Sequence, residues 1–157
     1  MGLVIDMKIR QCQAISLLLI VLFLVTPQSH AAKPGYVAPE EVAGARTVSV
    51  EEVKELFDKG VVIVDVRNPR LHARRHIPGA VHLDLKDVYD EESLAAVAKK
   101  NEPLVIYCSG VKCSRSSRAS EKAVSWGYKK VLYFRGGIVD WRDAGYPVES
   151  GETQSKP

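Results

Sequence analysis

LVIYCSGVKCSRSSRAS, residues 104–120, carries three signals in one stretch. The apolar run Leu104–Tyr107 has the length and bulk of a buried strand. A loop of small and polar residues follows, and then a helical pattern from Arg115 to Trp126 that Gly127 stops. Where a strand's carboxyl end faces the amino end of the next helix, an α/β protein gathers ligands and reactive groups. Backbone N–H groups converge there, and the helix dipole favours negative charge. A cysteine at that point, Cys108, is held as thiolate more readily than a free cysteine of pKa about 8.5. On this reading Cys108 is the nucleophile. The residues expected to hold an anionic substrate are Ser109, Gly110, Val111, Lys112, Ser114, Arg115, Ser116 and Arg118. Lys112 and Arg115 would lower the thiol pKa, Gly110 would allow a turn closed to other residues, and Ser116 and Ser117 would cap the helix.

A second cysteine, Cys113, lies in the same loop. It has three readings. It resolves an oxidised or sulfur-loaded Cys108 through a disulfide; it is itself the nucleophile, since Cys113 to Arg118 spans six residues; or it is inert. The first is preferred, because Cys113 does not directly follow the strand and its own loop lacks a glycine. A bridge between the two would close a short loop and stabilise little, so chemistry explains the pair better than architecture does. Two thiols without clustered histidines are too few ligands for a metal, and no organic cofactor is implied.

Outward from this stretch the chain alternates. Thr47-Val48 reads as a short edge strand, and Ser49–Glu52 is a capping box opening a helix that Gly60 ends. Val61–Val66 is a β-branched run broken only by Asp65, a second buried strand. Asn68-Pro69 turns into a short helix over Arg70–Arg75, Ala80–Leu83 is a short strand, and Asp84–Val88 a turn of helix. Glu91–Lys99 is a further helix, acidic at its start and basic at its end. Lys130–Phe134 is the last strand, and Gly136-Gly137 leads into a helix with Trp141 on its apolar side. Strands alternating with helices imply an α/β fold of three layers, a parallel sheet of about five strands with helices on both faces.

The first residues read as a cleavable export signal rather than as fold. Lys8 and Arg10 precede an apolar run, Ala14–Val25, and Ser29-His30-Ala31 supplies the small residues of a cleavage site. The run is shorter than the ~20 residues of a spanning helix. Cleavage after Ala31 would remove Cys12 and, with Lys8, Arg10 and Asp6, one net positive charge, taking +3 to +2. The expected organisation is a signal over 1–31, an irregular lead-in over 32–46, one domain over 47–148 and a polar tail over 149–157, in an exported, periplasmic protein free of the membrane once cleaved. So small a charge, without a basic run, argues against a nucleic-acid partner.

Asp65-Val66-Arg67, His76-Ile77-Pro78-Gly79-Ala80, Tyr107-Cys108, Arg115-Ser116, Gly127-Tyr128 and Gly136-Gly137 with Trp141, taken in order and spacing, resemble a single rhodanese domain of the thiosulfate sulfurtransferase type. The resemblance implies transfer of sulfane sulfur through a persulfide on Cys108, from a small sulfur-containing anion to a thiol or cyanide. It implies supporting, structural roles for Asp65, Arg67 and His76, and places Gly136-Gly137 beside the active site. The chain departs from the family in four places. Cys108 through Arg115 is eight residues where six are usual; Cys113 is added; Arg70, Leu71 and His72 replace acidic and aromatic residues; and Arg75 replaces a glycine. Two alternatives stay open: a thiol–disulfide redox protein using Cys108 and Cys113, and a non-catalytic module that docks a protein partner. A phosphatase or arsenate reductase fits less well, since their loops have seven residues.

Overall fold

The computed structural model describes residues 35–151. The expected signal, and the lead-in before Gly35, lie outside the described residues. So does the tail beyond Gly151. Among the described residues five strands are present: β1 (Ala45–Thr47), β2 (Val62–Asp65), β3 (Val81–His82), β4 (Leu104–Tyr107) and β5 (Val131–Phe134). Five helices alternate with them: α1 (Val50–Asp58), α2 (Pro69–Arg74), α3 (Glu91–Ala95), α4 (Arg115–Ser125) and α5 (Gly137–Asp143). The sheet is wholly parallel in the order β1-β5-β4-β2-β3, which puts β4 at its centre.

Side-chain parity divides the core. Leu104, Ile106 and Cys108 project to one face with Val64, Val66 and Val131, where Leu94 of α3 and Ala119 and Ala123 of α4 cover them. Val105 and Tyr107 project to the other with Ile63, Leu132 and Phe134, beneath Val53 of α1, Ile77, and Ile138 and Trp141 of α5. Phe57 meets the Trp141 ring edge-on, at 5.4 Å between centroids. The expected three-layer α/β architecture is the one observed.

Local differences have local causes. Ser49 caps α1 as expected, accepting from the Glu52 amide at 3.3 Å. Asp84–Val88 is a hydrogen-bonded turn, not a helix: the Asp84 carbonyl takes the amides of Asp87, Val88 and Tyr89, so no ladder propagates. The helix expected to reach Lys99 ends at Ala95, and the Ala98 carbonyl accepts from the Tyr128 hydroxyl instead. The lead-in is irregular from Gly35 to Gly44 yet attached, with Ala38 and Val42 buried and the Ala38 amide donating to the Val111 carbonyl at 2.7 Å. Glu149 pairs with His76 in an isolated antiparallel bridge. No helix among the described residues is long and apolar enough to cross a membrane.

Candidate active site

Two backbone loops meet where β4 and β5 end. The amides of Ile138 and Val139 donate to the carbonyls of Cys108 (3.0 Å) and Ser109 (3.3 Å). Gly137 makes this approach possible: its φ is +60°, and a Cβ there would run into the Cys108 carbonyl. Gly110 has a φ of +144° and packs against the Gly136 carbonyl, the turn its sequence context predicts.

The loop between Cys108 and α4 encloses a cavity of about 590 Å³. Ser109, Gly110, Val111, Lys112, Ser114 and Arg115, six of the expected binding residues, line it, together with Cys113. Gly136, Val139 and Asp140 complete the wall from the α5 side. Gly136 was signalled by the Gly-Gly pair; Val139 and Asp140 were not, although their place just past the end of the neighbouring strand could have suggested them. Arg118 is exposed on α4 and is not among the lining residues.

The two thiols stand differently from the expectation. Cys108 is fully buried in the core beneath the first turn of α4 and does not line the cavity. The parity of β4 is the reason: position 108 continues the inward row of 104 and 106. Its Sγ lies 3.0 Å from the Ser116 hydroxyl oxygen. A hydrogen bond with Cys113, burial, and the charge of Cys113 push its thiol well up, against smaller help from the Ser116 hydroxyl and the Gly110 amide. Cys113 is half-buried and faces the cavity. The hydrogen bond from Cys108 lowers its thiol most; burial opposes this, and the amides of Arg115 and Ser109 with the Arg115 charge take it down to about 5. The Cys108 thiol donates to the Cys113 carbonyl oxygen at 3.5 Å.

Ser116 and Ser117 do not cap α4. The helix starts at Arg115, Ser114 stands at the N-cap position without a side-chain bond, and the Ser117 hydroxyl donates back to the Ser114 carbonyl at 3.1 Å. The opening turn therefore keeps amides available to the loop, and the Arg115 amide is one that Cys113 uses. Arg115 itself is less a substrate clamp than a latch. Its guanidinium reaches the Asp84 carboxylate and, at 3.0 Å, the Val66 carbonyl. Sequence reading gave Asp84 no role, since its partner lies 31 positions away.

Asp65, Arg67 and His76, expected as structural supports, are all buried in one hydrogen-bonded cluster. Asp65 is fully buried and takes a fork from Arg67 (2.9 and 2.5 Å), His72 Nδ1 (2.9 Å) and the Tyr107 hydroxyl (2.9 Å). Burial would raise its pKa; the bonds from His72 and Arg67 outweigh that and hold the carboxyl well below the usual range. His72 stacks between His76 (3.9 Å) and His82 (4.4 Å), and His76 donates to the His72 carbonyl at 2.9 Å. No histidine lines the cavity of Cys113. Among the described residues, no group of three or more His, Cys, Asp or Glu side chains could hold a metal ion.

Residues 49–144 match the Rhodanese-like domain family. The chain belongs to the rhodanese family. Similar sequences include the thiosulfate sulfurtransferase GlpE of Pseudomonas fluorescens, 33% identical over 107 residues, which are 68% of this chain and 93% of that one. GlpE of Pseudomonas aeruginosa is 33% identical over 109 residues, 68% of this chain and 94% of the relative. The solution structure of a rhodanese-like domain from Anabaena superposes with a TM-score of 0.58 at 24% identity, covering 71% of this chain and 83% of that domain. A Rhodopseudomonas palustris protein described as of unknown function and a possible tyrosine phosphatase superposes with a TM-score of 0.54 at 34% identity, covering 67% and 85%.

Proposed function

We propose that this rhodanese is a sulfurtransferase, exported as its amino-terminal apolar run suggests, in which Cys113 is the attacking thiolate and Cys108 its buried hydrogen-bond partner. One observation carries the reading: of the two loop thiols, Cys113 lines the cavity, whereas Cys108 is fully buried in the core. The family and the thiosulfate sulfurtransferase relatives support the reaction class.

The Cys113 thiolate attacks the outer sulfur of thiosulfate. The S–S bond of the donor breaks, sulfite leaves with the electron pair, and a Cys113 persulfide anion forms. The amides of Ser109 and Arg115 that favour the thiolate favour this anion too. A thiolate or cyanide then attacks the terminal sulfur, and the Cys113 thiolate leaves and is restored. Cys108 donates its hydrogen bond throughout and does not exchange sulfur.

Thiocyanate formation from thiosulfate and cyanide tests this. Cys113→Ser is expected to abolish it, and Cys108→Ser to leave measurable turnover. The reverse pattern returns the nucleophile to Cys108. Inactivity of the wild-type chain with several sulfane donors rejects sulfur transfer. The adjacent thiol pair favours a second reading, thiol–disulfide exchange, in which intact mass shows loss of two hydrogens in place of a gain of one sulfur.

A further inference from the structure

Beside the Cys113 cavity runs a second depression, about 260 Å³, lined by Arg67, Arg74, Arg75 and Arg142 and sharing Ser109 and Val139 with the cavity wall. The four guanidinium groups are not equally committed. Arg67 is buried against Asp65, and Arg142 leans on Asp143 at 2.6 Å. Arg74 is exposed and Arg75 half-exposed, and neither has a carboxylate partner among the described residues. Two neighbouring cations thus stand one shared wall away from the cavity that Cys113 lines.

We infer that this groove is an acceptor subsite, seating the carboxylates of a small thiol whose sulfur enters the cavity; the inference rests on the sulfur-transfer reading. Size argues for a subsite. At about 260 Å³ the groove falls below the ~300–1,000 Å³ of self-sufficient ligand pockets, but it adjoins one of about 590 Å³. Thiosulfate and cyanide are too short to occupy both spaces. A molecule with its thiol in the cavity and a carboxylate tail over Ser109 and Val139 would fill the two together. Guanidinium is the cation suited to carboxylate, which it binds through paired N–H groups. The acceptor thiolate attacks the terminal sulfur of the Cys113 persulfide, the sulfur–sulfur bond to Cys113 breaks, and the persulfidated acceptor leaves.

Two peptides of nearly identical shape test it, with thiosulfate as donor: N-acetyl-Cys-Glu, with two carboxylates, and N-acetyl-Cys-Gln-amide, with none. The wild-type KM is expected to be about tenfold lower for the acid peptide, a preference that falls as salt screens the exposed arginines. In Arg74→Glu/Arg75→Glu the ratio of the two KM values should collapse to one or invert. Arg74→Gln/Arg75→Gln should bring it toward one, and serves if the charge reversal impairs folding. Equal KM values in the wild type overturn the subsite, as does a ratio that survives both double variants. Thiocyanate formation from thiosulfate and cyanide, run alongside, separates the two claims. If it is present and the peptides are not distinguished, the groove alone is misread; if it is absent, both readings fall.

Discussion

Removing the inner thiol should make the outer one harder to ionise. Cys108→Ala removes the buried S–H that the proposed mechanism assigns as donor to the Cys113 thiolate, while the amides of Ser109 and Arg115 remain. A hydrogen bond to a charged group is worth about 1.5–3 kcal/mol. At ~1.4 kcal/mol per pH unit, the midpoint of Cys113 ionisation should rise by about 1–2 pH units. Cys108→Ser keeps a donor, although a shorter one, and should rise less. The assay is the rate of alkylation by iodoacetamide across pH, read at Cys113 by peptide mass spectrometry. The wild-type rate should stay near its plateau well below the ordinary thiol range and drop as protons return to the sulfur at lower pH. The alanine curve should turn down at higher pH. An alanine curve that overlays the wild type would falsify the idea that the buried sulfur holds the proton for its neighbour. So would a wild-type profile in which Cys108 is alkylated first.

Other perturbations probe the frame around the site. Asp65→Asn strips the counter-charge from a buried arginine and should cost about 3–5 kcal/mol in urea denaturation. The folded pKa of Asp65 is lowered, so its contribution is complete above the ordinary carboxylate range and is lost as pH falls through that range toward the folded value; wild-type stability should decline on acidification, and the Asp65→Asn variant should decline less. Asp84→Asn loosens the latch on Arg115 and should lower stability by ~1–2 kcal/mol, with faster exchange of the amides opening α4 as the local readout. Gly137→Ala sets a methyl against the Cys108 carbonyl at a positive φ, and should cost about 1–3 kcal/mol in thermal melting while altering Cys113 alkylation.

Much of the frame was legible because it is local. Val61–Val66, Leu104–Tyr107 and Lys130–Phe134 are apolar runs bounded by breakers, and each became a strand at or within those limits. The Ser49 half of the capping box acts within one turn and is present, while the Glu52 carboxylate pairs with Arg46 in place of reaching back. The site was legible as a place: most residues expected to bind now surround one cavity. What stayed hidden depends on direction or distance. Cys108 directly follows the strand, and its alternation with Leu104 and Ile106 was the available sign that it points inward. Arg115 looked free because Asp84 is far off in sequence, and the stack of His72 on His76 and His82 joins separate elements.

The reactive loop is anchored at both ends. Ile138 and Val139 hold the carbonyls of Cys108 and Ser109, and the Arg115 latch holds the start of α4. Between the two anchors lies the short segment 110–113, all four residues of which line the cavity. The same segment is tied from outside as well, by the Ala38 amide on the Val111 carbonyl, so a change in the lead-in before β1 is felt at the rim of the cavity.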